Sequence, residues 1–90
     1  MLFMVIEHYR EGRAVDVYRR FRDRGRMAPE GLRYIDSWVD LEFHRCFQIM
    51  EAESEESLRA WTVHWEDLVD FEIVPVRTSA EAAAAIAPKL

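Results

Sequence analysis

An α+β sandwich built on a four-stranded antiparallel sheet is the architecture that this 90-residue chain predicts. Three observations carry it. The N-terminal apolar run has the length of a buried strand, residues 31–52 alternate on both sides of a polar bend, and each half of the chain sets one stretch of helical spacing between strand-like stretches. The order that results is βαββαβ, the ferredoxin-like arrangement, in which right-handed crossovers put both helices on one face of the sheet. A single domain over residues 1–90 is expected, with a further short helix at about 79–87.

Met1 to Glu7 is six apolar residues closed by a charge, the pattern of a strand covered on both faces in a sheet interior, and it is expected to be the central strand. Gly12 interrupts it. From Arg13 to Arg24, the residues Ala14, Val17, Tyr18 and Phe21 recur at helical spacing among arginines, which predicts an amphipathic helix ending near Gly25. The connector RMAPEG, with Pro29 and Gly31, is a turn that leads into the hairpin. After the hairpin, Ser54 followed by Glu55 and Glu56 has the form of a helix start, and Leu58, Trp61, Thr62 and Trp65 share one stripe of a second helix that should end by Asp67. Leu68 to Arg77 alternates as a fourth strand. Pro75 assigns it to a sheet edge, since proline cannot donate to a ladder. Thr78 and Glu81 have capping-box spacing ahead of an alanine-rich helix that Pro88 stops.

The hairpin, GLRYIDSWVDLEFHRCFQIMEA, decides which side chains the sheet leaves uncovered. A bend at Asp40 to Phe43 pairs Trp38 with Cys46, Asp36 with Gln48 and Tyr34 with Met50 on one face, and Ile35 with Ile49 and Ser37 with Phe47 on the other. The second face is the oilier and is expected to lie under the helices. Strand parity adds His8, with Met4 and Ile6, to the open face, where it can meet Glu72 of the fourth strand. The candidate ligand-binding residues are therefore His8, Tyr34, Asp36, Trp38, Cys46, Gln48 and Glu72. They form a mostly apolar cup with a few polar groups, suited to a flat or aromatic ligand. An open face this apolar is also expected to pair with a second copy.

Composition narrows the partners. Half of the residues are hydrophobic, with only three glycines and three prolines, as in a compact globular domain. The net charge of -5 argues against nucleic acid. Seven arginines between Arg10 and Arg26 form the one basic stretch, but they point around the whole helical wheel and are interrupted by Asp16 and Asp23, so they read as a solvated face. No apolar run is long enough for a membrane span, and the N-terminal residues carry neither a basic leader nor a small-residue cleavage site, so a cytoplasmic protein is expected. The single cysteine excludes an internal disulfide and, lying in a strand, reads as a small buried hydrophobe. His8, His44 and His64 lack metal-ligand spacing, and no metal is expected. Trp61 and Trp65, four apart on the Leu58 stripe, read as core.

The segments GRMAPEGLRYIDSWV, RCFQIME and W-x3-W-x-DLVDFEIVPV followed by TSAEA resemble the bacterial family known as domain of unknown function 3303. The resemblance runs from Met1 to about Ala83 and implies a dimeric α/β barrel of ferredoxin-like subunits, with no activity to carry over. Three function classes follow from this reading. The first is a small-ligand binding or sensing homodimer. The second is a cofactor-free or haem-dependent monooxygenase-like enzyme with His8 or Asp36 as base. The third is a structural or protein-interaction module.

Overall fold

Leu2–Tyr9 forms β1 in a computed structural model that describes residues 1–90, and β1 lies inside the sheet, as its unbroken apolar run requires. The remaining elements are α1 (Ala14–Arg24), β2 (Arg33–Val39), β3 (Arg45–Glu51), α2 (Glu55–Thr62), β4 (Val69–Val76) and α3 (Ser79–Ile86), followed by a 3-10 turn over Ala87–Lys89. The strands are antiparallel in the order β2-β3-β1-β4, which is the ferredoxin-like sheet. Pro75 does sit on an edge strand, β4. The Thr78–Glu81 capping box forms in both directions, with Glu81 N–H donating to Thr78 Oγ1 and Thr78 N–H donating to Glu81 Oε1. No helix is long and apolar enough to cross a membrane.

The helices cover the face that carries Phe3, Val5, Met50 and Val69. These side chains form one core with Val17 of α1, Leu58 and Trp61 of α2, and Trp65 and Leu68 beyond it. α2 is shorter than its stripe suggests. It ends at Thr62, and three-residue turns (His64 N–H to Trp61 O, Trp65 N–H to Thr62 O, Leu68 N–H to Trp65 O) tighten the chain so that Trp65 still faces inward. α1 buries only Val17, and its main outside tether is Arg20, which donates two hydrogen bonds to the Asp67 carboxylate at 2.8 and 2.7 Å. α3 buries nothing.

The hairpin register differs from the sequence expectation, and the cause is a β-bulge. Tyr34 pairs with Met50 as expected, but Asp36 pairs with Ile49, Ser37 with Gln48, Trp38 with Phe47 and Val39 with Cys46. Ile35 is the extra residue, and it is 41% exposed. Two residues opposing one shifts the rest of the strand by one place. Pairing with β1 (Phe3 with Met50, Val5 with Gln48, Glu7 with Cys46) puts Cys46, Gln48 and Met50 under the helices and Phe47 and Ile49 on the open face, the reverse of the expected sides for β3. Burial of Gln48, 3% exposed, is compensated in part by a hydrogen bond from its Nε2 to Met50 Sδ at 3.3 Å. The turn itself is held by Asp40, whose carboxylate accepts from the N–H groups of Glu42, His44 and Arg45. Those bonds, led by that from Arg45, hold the Asp40 carboxyl below the usual range.

Because Ile35 is an insertion in an otherwise regular ladder, deleting it should leave the sheet and its faces intact. By comparison, Leu58→Ala empties a fully buried site and should cost about 2 to 5 kcal/mol. Urea unfolding of both variants checks this. A deletion as damaging as Leu58→Ala would mean that Ile35 belongs to the ladder.

Candidate functional site

A cavity of about 160 Å³ opens between the inner face of the sheet and the helices α1 and α2. Its floor is Glu7 and Tyr9 of β1, Cys46 and Gln48 of β3, and Ser37 and Val39 of β2; its walls are Val17, Tyr18 and Phe21 of α1 and the indoles of Trp61 and Trp65, with Arg26 at the rim. Glu7 is brought here by the alternation that buries Phe3 and Val5, since all three odd-numbered side chains of β1 point to the same side.

The connector fixes Arg26. Gly25, at φ 70° and ψ -163°, takes a conformation essentially restricted to glycine, and Met27 beyond it is left-handed at φ 61°. Between these two reversals, the main-chain carbonyl of Arg26 accepts from both indoles, Trp61 Nε1 at 2.9 Å and Trp65 Nε1 at 3.2 Å. The guanidinium lies 3.7 Å from the ring centroid of Tyr34 and 5.1 Å from that of Phe21. Tyr34 Oη is in turn 2.7 Å from Ser37 Oγ, a contact across the bulge. A second aromatic run, Tyr9 to Tyr18 to Phe43, closes the end of the groove near the hairpin turn with edge-to-face contacts at 6.4 and 5.9 Å.

Burial governs the titration of these groups. Desolvation pushes the Glu7 carboxyl up to about 7, against the opposing pull of the Arg26 charge. Burial, reinforced by Glu7, pushes the Cys46 thiol up to about 12, so it stays protonated and is not a nucleophile. Burial, reinforced by the neighbouring Tyr18, likewise raises the Tyr9 phenol. The cavity thus holds one carboxyl poised near neutrality, one fixed guanidinium and several aromatic rings. No histidine lines it, and no three potential metal-ligating side chains cluster anywhere in the molecule.

The seven residues singled out from the sequence divide between the two sides of the sheet. Cys46 and Gln48 line this cavity, and Tyr34 borders it through Arg26. His8, Asp36, Trp38 and Glu72 lie on the open face, where His8 Nε2 stands 3.5 Å from Glu72 Oε1 and Trp38 is 57% exposed. The bulge puts Asp36 and Trp38 on the other side from Tyr34, and the ladder with β1 sets the side of Cys46 and Gln48. Glu7 and Arg26 were not among the seven, although the parity that assigns His8 to the open face also assigns its neighbour Glu7 to the other. Arg26 was hidden in the arginine run, and its one sequence signal is its position just past the helix-ending Gly25.

The family model of the domain of unknown function DUF3303 matches residues 1–90. The chain belongs to this family. None of the curated proteins and none of the solved structures matches it.

The raised carboxyl makes stability depend on pH. The unfolded chain ionises Glu7 near 4.5 and the folded one near 7, so the native state holds the extra proton between these values. Stability should fall as pH rises from about 4.5 to about 7 and stay lowered above that. Glu7→Gln removes this loss and should gain on the wild type across the same window, by on the order of 3 kcal/mol at most. Urea unfolding of both proteins between pH 4.5 and 8 measures the difference, and parallel curves would show that Glu7 is solvated.

Proposed function

We propose that this DUF3303 protein is a homodimeric small-ligand binding protein whose ligand lies in the cavity between the sheet and the helices. One observation carries the reading. Glu7 and Arg26 line the same small cavity, yet neither takes part in an ion pair or a side-chain hydrogen bond within the chain. A polar group left in a largely apolar pocket costs free energy that a ligand's complementary group recovers. The homodimer is supported by the open face, where Met4, Ile6, Phe47 and Ile49 are only half-buried and Trp38 and Val74 are exposed. A contiguous apolar face of this kind is stabilised when a second copy covers it.

A catalytic reading draws on the same carboxyl. A general base works best with a pKa near the working pH, and Glu7 meets that condition inside a pocket. It would take the role that the sequence offered to His8 or Asp36.

The wild type should sediment as a dimer at micromolar concentration and Phe47→Asp as a folded monomer. A monomeric wild type would remove the dimer from the proposal. For the ligand, a fragment library screened by ligand-observed NMR should give hits that weaken at least tenfold in Val39→Phe, which fills the cavity, and persist in Trp38→Ala on the opposite face. Hits lost only in Trp38→Ala would move the site to the open face. No hits on either face would leave the protein-interaction reading.

A further inference from the structure

We propose that the cavity is built for a single-ring hydroxyarene bearing an anionic group, with the ring hydroxyl donating to Glu7 and the anion lying against Arg26. This rests on the ligand-binding reading above and names the ligand's chemical class. Three features of the site select that class.

The first is the separation of the two charges. Elsewhere the molecule pairs its acids and bases freely, in eight ion pairs that include Arg20 with Asp67 and Arg33 with Glu51. Glu7 and Arg26 face one cavity without touching. Arg26 is kept from closing the gap by its stacking on Tyr34 and Phe21 and by the two indole N–H groups that fix its main chain. A molecule with a donor at one end and an acceptor at the other fits between them.

The second is depth. Glu7 belongs to β1, between β3 and β4, and is largely desolvated, so its partner group must leave most of its water. A neutral hydroxyl does this at far lower cost than an ammonium group. Arg26 lies at the rim beside Tyr34, which is 38% exposed, so the anion it meets stays partly hydrated. A planar guanidinium held in a fixed orientation is suited to a carboxylate, which it can grip with two parallel hydrogen bonds.

The third is size and wall chemistry. A cavity of about 160 Å³ is of the volume that accepts one six-membered ring. Its indole and phenyl walls favour an aromatic ring over an aliphatic chain of the same volume.

The test uses the full chain and three probes: 4-hydroxybenzoate, benzoate, which lacks the hydroxyl, and phenol, which lacks the anion. Titration calorimetry at pH 7 should show 4-hydroxybenzoate binding at least tenfold tighter than either of the others. Arg26→Met, which keeps the main-chain carbonyl that the indoles need, should abolish the advantage over phenol. Glu7→Gln should shrink the advantage over benzoate, and Val39→Phe should lose all three. Equal binding of the three probes, or no binding of any while other fragments still enter the Val39→Phe-sensitive cavity, would overturn the ligand class and leave the ligand-binding reading standing. A cavity that no fragment enters would overturn both.

Discussion

The carbonyl of Arg26, accepting two indole N–H groups, is the contact on which the arrangement of this molecule depends. It joins three parts of the chain that share no secondary structure: the connector after α1, the end of α2 and the turn that leads to β4. Both tryptophans are almost completely buried, so without that acceptor two N–H groups would be stranded in the core. With it, the indoles become walls with a fixed tilt, and the residue that provides the acceptor carries its own guanidinium to the cavity rim. One backbone oxygen thus serves both the core and the site.

The two faces of the sheet answer different demands. The inner face carries polar side chains that a purely structural core would not include, Glu7, Ser37 and Gln48 among them, grouped on neighbouring strands beneath the helices. The outer face carries Met4, Ile6, Phe47 and Ile49, with its charges gathered into pairs such as His8 with Glu72 and Arg33 with Glu51. Apolar area on the outside and unpaired charge on the inside is the opposite of what a self-sufficient monomer needs. It is consistent with a protein whose outer face meets a macromolecular surface and whose interior meets a small one.

The element order, the central position of β1, the edge position of β4 and the Thr78 capping box were all legible in the sequence, because each rests on local periodicity or on one residue with a single use. The sidedness of β3 was not. Arg45 to Glu51 places apolar residues on both faces, Cys46 and Met50 on one and Phe47 and Ile49 on the other, so its pattern does not say which is inward. The decision then fell to the pairing with β2, and Ile35 gives no sign of being a bulge, since an isoleucine suits a regular strand equally well. Gln48, a polar residue that by itself would favour the open face, is accommodated inside because it finds a partner in Met50 and a cavity beside it. Glu7 misleads in the same way, reading as the charged end of a strand that in fact continues to Tyr9. Local rules and the fold disagree at the residues that line the site, which is where such conflicts are expected.

The interior place of β1 also bears on how the chain reaches this structure. Its partners, β3 and β4, lie far along the chain from it, with pairs running from His8–Arg45 to Leu2–Val76, so two of the three ladders in the sheet require long loops to close before any contact rewards them. Only the β2–β3 hairpin is local, and its turn is already tied by Asp40. The topology therefore has high contact order, and its folding is set by a slow search by the N-terminal strand. During synthesis β1 precedes both of its partners, so one of its edges stays unpaired until β3 has emerged and the other until β4 has. For this small protein, the interval before the last strand docks is the time of greatest exposure to misassociation.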